Sequence, residues 1–92
     1  MAVTVLVPGA LRGEVEGVGR LDVAASGTLN DVLREIDERW PRLARRICDE
    51  QGQLRRFVNV YVDGEDVRRI DGLATPVAAG AEVQLLPSVA GG

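Results

Sequence analysis

The apolar positions of this chain repeat with two different periods, and the switch between them predicts its elements. Over residues 2–7, Val3, Val5 and Val7 fall on one side and Ala2, Thr4 and Leu6 on the other, the period of two that a strand requires. Pro8-Gly9 ends that run, a stretch holding Gly13, Gly17 and Gly19 follows, and residues 20–24 alternate polar and apolar as a half-buried strand does. Two strands this early, joined by a short connection, predict an antiparallel pair. The period then becomes helical: Leu29, Val32, Leu33, Ile36 and Trp40 share one stripe, which leaves Arg34, Glu35, Glu38 and Arg39 to water. Thr28 is placed to cap this helix, Asp31 three residues later gives a box-like start, and Pro41 stops or kinks it. A further helical turn through Leu43, Ala44 and Ile47 and a loop over 49–53 are expected next.

The alternating period returns over 57–62, where Val58, Val60 and Val62 oppose Phe57, Asn59 and Tyr61 in the most strand-like run of the chain; the valines are expected to face the helix. Asp63-Gly64 marks a tight turn, with Glu65, Asp66 and Val67 returning from it. The acidic trio Asp63, Glu65 and Asp66 has too few ligands for a calcium loop and reads as a solvated turn, so no metal site is expected. A turn-rich connection over 72–80, around Leu73 and Pro76, leads to a last strand over 82–86, with Val83 and Leu85 on one face and Gln84 and Leu86 on the other. This order of elements predicts an α+β fold of the β-grasp (ubiquitin-like) type: a mixed sheet of 4–5 strands, one main helix packed across one face, and the first and last strands parallel at the centre. The other face would carry Leu6, Phe57, Tyr61 and Leu86, an apolar set read as a partner-docking surface unless loops or the first-strand connection cover it.

Composition narrows the chemistry. A chain of 92 residues makes one small domain, expected over 1–87 with a flexible tail over 88–92, and it can bury only about 60–65% of its unfolded surface, too little for a deep catalytic cleft. With no His and a single Cys, a histidine-based triad and an intrachain disulfide are excluded, and no catalytic residues are expected. No apolar run approaches the roughly 18 residues of a membrane span. The chain starts directly in a strand pattern without a basic leader, so a cytoplasmic protein is expected. Its net charge is -3 and its 11 basic residues are spread along the chain, which argues against nucleic acid as a partner. All of them are Arg, and two readings of that stand open: avoidance of ε-amines beside an activated end, or high-GC coding, which abundant Ala, Gly and Val favours. Cys48 could relay sulfur as a persulfide, but reads better as a small, partly buried apolar residue.

The end of the chain carries the candidate chemistry. Gly91-Gly92 follows the last strand, and two residues without Cβ can thread a narrow tunnel and present an unhindered carboxylate. Pro87 lacks a donor N–H and is expected to end the ladder, leaving five residues that reach about 16–18 Å when extended. With the β-grasp pattern, the segment FVNVYVDGEDVR at 57–68 and the ending GLATPVAAGAEVQLLPSVAGG at 72–92, essentially the whole chain resembles the ubiquitin-like sulfur-carrier proteins related to the small subunit of molybdopterin synthase and the thiamine sulfur carrier. The 56–68 stretch and Gly72-Leu73-Ala74-Thr75 look most like the branch serving cysteine biosynthesis, although Ala79-Gly80-Ala81 lacks the acidic residues that branch usually has beside the turn glycine.

The resemblance implies that Gly92 is the site of adenylation and thiocarboxylate formation, with Gly91, Ala90 and Val89 threading the partner. It implies as partners an ATP-dependent, ubiquitin-activating-type enzyme using a sulfur donor, an acceptor such as a cysteine synthase-like pyridoxal-phosphate enzyme, and a metalloprotease that releases cysteine. The carrier itself would bind no cofactor and catalyse nothing. Three competitors remain: a protein modifier forming isopeptide conjugates, a fixed small subunit of molybdopterin synthase, and an interaction module whose Gly-Gly is incidental.

Overall fold

A computed structural model describes residues 2–87. β1 (Val3–Leu6) and β2 (Arg20–Val23) form the expected antiparallel pair, with Val5 opposite Leu21. A short β3 (Gly27–Thr28) leads into α1 (Leu29–Arg39), which is followed at once by α2 (Pro41–Ile47). β4 (Val58–Val62) turns back as β5 (Glu65–Asp66), β6 (Pro76–Val77) pairs with β3, and β7 (Glu82–Pro87) closes the sheet. Its order, β2-β1-β7-β4-β5, puts β7 in the middle, parallel to β1 and antiparallel to β4, as a β-grasp requires. The fold class, the central parallel pair and the five-stranded sheet thus agree with the sequence reading.

Alternation explains which face is covered. Val3, Val5, Val60 and Val83 are 0% exposed, and they meet Leu29, Val32 and Ile36 of α1, also 0% exposed. Burying such side chains contributes about 1.5–3 kcal/mol each, so this layer dominates the stability. The start of α1 is fixed locally. The Thr28 hydroxyl accepts from the Asp31 N–H at 3.3 Å, and the Asp31 carboxylate accepts from the Thr28 N–H at 3.0 Å, a reciprocal box that satisfies two otherwise orphaned donors. Gly27 makes the box possible: its φ is +114°, and a Cβ there would come within 2.8 Å of Asp31 Oδ2. The Asp63-Gly64 turn likewise has positive φ at both residues (48° and 88°), the condition for a hairpin turn that matches strand twist.

Four local readings change. The glycine-containing connection after β1 is a 3₁₀ helix, Gly9–Val15, that buries Leu11 and Val15 against α2 and places Glu14 3.3 Å from Arg42 and 3.5 Å from Arg46. Glu35 is not left to water: its carboxylate accepts from the N–H groups of Ala24 (3.1 Å) and Ala25 (2.9 Å) and from Arg39 (2.8 Å), tying α1 to the chain leaving β2. Trp40 packs half-buried against the core as its spacing predicts, but it lies beyond the last turn of α1 as its cap, with φ -136° and ψ 67°, since the residue before a proline is driven out of helical geometry; the Arg39 guanidinium lies 4.2 Å from its ring centroid. Pro76–Val77, expected as turn, forms a ladder with β3, and the Leu29 N–H donates to the Thr75 carbonyl at 2.9 Å. No helix among the described residues is long and apolar enough to cross a membrane.

Candidate functional site

Gly92, Gly91, Ala90 and Val89, the residues expected to carry and thread the reactive end, lie outside the described residues, as does the rest of the 88–92 tail. What the structure positions is the root of that tail. β1 pairs with β7 only from Glu82 to Gln84, whereas β4 follows it to Pro87, so the last residues of β7 are held from one side only. The chain therefore leaves the sheet from its central strand, at the edge where β1 has already turned away. Pro87 still pairs with Val58, closing the described ladder at the residue where a missing donor was expected to end it.

The apolar set named for docking is only partly brought together. Leu6, Gln84 and Tyr61 form one row across β1, β7 and β4, and Leu86 stands opposite Asn59 in the next, all on the face away from α1. Leu86 is 37% exposed, while Leu6 and Tyr61 are half-buried. Phe57, the most exposed at 53%, departs from the alternation: it lies in a turn ahead of β4, closed by the Val58 N–H donating to the Arg55 carbonyl, and lines a surface depression with Arg45, Arg46, Arg55 and Pro87. The first-strand connection does not cover the open face, because Leu11 and Val15 turn to the helix side.

Sequence reasoning missed what braces that turn. The Arg68 guanidinium donates to Asn59 Oδ1 at 2.7 Å and to the carbonyls of Arg55 and Val58 at 2.9 Å each, fastening the strand that pairs with the tail root. Its place just beyond the 63–64 hairpin, which folds back along β4, was the available signal. The acidic turn also acquires structural duties: Asp63 Oδ1 accepts from the Glu82 N–H at 2.9 Å and Asp66 Oδ1 from the Arg68 N–H at 2.9 Å. Cys48 is partly buried where it bridges to Leu54, and burial, reinforced by Asp49, pushes its thiol pKa up. A thiol held protonated is a poor nucleophile, which speaks against a persulfide relay.

Among known proteins, the ThiS family matches residues 5–92. The sulfur carrier protein CysO of Mycobacterium tuberculosis is 44% identical over the full length of both chains, and its crystal structure superposes with a TM-score of 0.85 over 95% of this chain and 99% of that one. A crystal structure of the Amycolatopsis orientalis BexX/CysO complex contains a chain 37% identical, matched with a TM-score of 0.88 over 99% of this chain and 100% of that one. Small archaeal modifier protein 3 of Haloferax volcanii is 40% identical over 65 residues, 71% of this chain and 70% of its own.

Proposed function

The chain belongs to the ThiS family, and from that membership we propose a sulfur carrier whose Gly92 carboxylate is activated and converted to a thiocarboxylate by a partner enzyme. The single observation that carries this reading is that the likeness runs through the C-terminal Gly-Gly, in a body whose central strand ends at Pro87, five residues before the chain does. A free carboxylate is a poor electrophile. An ATP-dependent activating enzyme therefore joins AMP to the Gly92 carboxylate with loss of pyrophosphate. Sulfide, or a persulfide together with a reducing thiol, then displaces AMP and leaves sulfur where an oxygen stood. The carrier supplies no catalytic group: it presents the end and offers a surface to dock.

The likeness to CysO favours an acceptor that makes cysteine, a cysteine synthase-like enzyme carrying pyridoxal phosphate. There the thiocarboxylate sulfur attacks an activated serine derivative, the resulting thioester rearranges to a peptide bond, and a metalloprotease hydrolyses that bond to release cysteine and restore the carboxylate. The intact mass after incubation with ATP, sulfide and an activating enzyme of this class tests the reading. A gain of one sulfur for one oxygen, lost when Gly92 is deleted, is expected; an unchanged mass with an enzyme that does form the adenylate would sink it. The likeness to an archaeal modifier protein favours a second reading, transfer of the same adenylate to a lysine of another protein. Conjugate ladders in extract that vanish with Gly92 would establish it.

A further inference from the structure

The charge of this chain is sorted along the strands. At one end of β4 and β7 stand Asp63, Glu65 and Glu82. At the other, roughly 14 Å along β4, the tail root is bordered by Arg45 and Arg46 of α2 and by Arg55 of the segment before β4, with the exposed Arg56 next in that segment, two residues ahead of the Val58 that pairs with Pro87. Arg45, Arg46 and Arg55 line one depression with Phe57 and Pro87, the last residue before the tail. Glu14 offsets part of this charge, 3.5 Å from Arg46, while Arg45 and Arg56 enter none of the ion pairs found among the described residues. The Arg55 guanidinium donates to the Arg45 carbonyl at 2.7 Å, fixing the α2 side of the collar to the β4 side. A protein of net charge -3 thus has a positive rim where its chain leaves the body.

We propose that this arginine collar is a docking surface for the acidic lip of the channel through which the activating enzyme receives the tail. The inference rests on the function proposed above. Charge complementarity and position support it together: a partner that takes the five residues after Pro87 has to bring its channel mouth against whatever surrounds Pro87, and here that is guanidinium with one exposed ring. Rim charges of this kind chiefly accelerate association and orient it, and their effect falls with salt as the Debye length shrinks to about 10 Å at 0.1 M. Phe57, 53% exposed among these arginines, supplies the apolar contact that such a rim surrounds. A nucleic acid would need a larger positive footprint than four arginines beside Glu14, Asp49 and Glu50.

The test measures binding of the full chain to the activating enzyme without ATP, at low and high salt, alongside adenylation by ATP–pyrophosphate exchange. The double variant Arg45→Glu/Arg56→Glu alters two residues that enter no ion pair among the described residues, and Arg20→Glu/Arg69→Glu, which makes the same two charge reversals on β2 and beside Glu65 at the acidic end, controls for net charge. Association of the native chain is expected to slow at high salt. The double variant is expected to bind about 10-fold or more weakly at low salt and to lose most of that salt dependence, with Arg20→Glu/Arg69→Glu near native. Native-like, salt-insensitive binding by the double variant overturns the collar, as does equally tight, salt-dependent capture of an RNA or duplex DNA oligonucleotide by the native chain. Absence of any binding by the native chain overturns it too. Binding without adenylation leaves the collar standing and sinks only the sulfur-carrier reading.

Discussion

The two faces of the sheet are built from the same strands and obey opposite rules. On the α1 side, Val60, Val83 and Val5 are fully buried, interchangeable in chemistry and defined by shape alone. On the open side the same strands present Thr4, Leu6, Asn59, Tyr61, Gln84 and Leu86, a mixture too polar for a core and too apolar for a wholly solvated surface. Alternation makes both at once, because each added residue of a strand serves the other side. The covered face contributes stability, and the open face together with the tail root is where we propose that partners dock.

The largest expected separation comes from Ile36→Ala on the covered side. Removing a side chain that is 0% exposed should lower unfolding free energy by about 2–5 kcal/mol in urea titrations, with sulfur loading of the remaining folded protein unchanged. On the open side the pattern should invert: Leu86→Ala is expected to change stability by less than about 1 kcal/mol yet raise the KM for adenylation about 10-fold, equivalent to about 1.4 kcal/mol of docking. Equal losses of stability from both substitutions would erase the distinction between the faces.

A smaller effect sits at the border of the covered layer. Burial works against the Glu35 carboxylate, but hydrogen bonds from Arg39, Ala24 and Ala25, with the Arg39 charge, outweigh it and hold its pKa below the ordinary 4.5. A depressed carboxylate stabilises the fold above its unfolded pKa and ceases to do so as pH falls through the folded value. Glu35→Gln should therefore cost no more than about 1 kcal/mol at neutral pH, given the solvent that still reaches the pair, and the gap from native should close below about pH 4. Urea midpoints across that range check it. Smallest of all, Cys48→Ser should leave sulfur loading intact, and the native thiol should react slowly with iodoacetamide at neutral pH, because its pKa is raised.

How much was legible follows from the range of each interaction. The strand faces, the box at Thr28 and Asp31 and the 63–64 turn are decided within a few residues, and they stand as the sequence read them. Leu11 and Val15, four apart, carried a helical signal that the nearby glycines obscured. Glu35 looked solvated because its partners Ala24 and Ala25 lie 11 and 10 residues away, beyond any local pattern. Of the docking set, Leu6, Tyr61 and Leu86 were placed by strand alternation, whereas Phe57 left the pattern because its backbone is in the turn that Arg68 braces.

The residues by themselves determined the periods of two and 3.6, hence the strands, the helix, their buried faces and the parallel pairing that a β-grasp order entails; these depend on backbone geometry and on removing apolar surface from water. Only the tertiary structure decided that α2 and the segment before β4 meet at the end of β7, gathering arginines scattered through the chain into one rim around the tail root. Like charges do not seek one another, so no local pattern announces such a rim. It exists because packing of the apolar faces fixed where the exposed arginines would point.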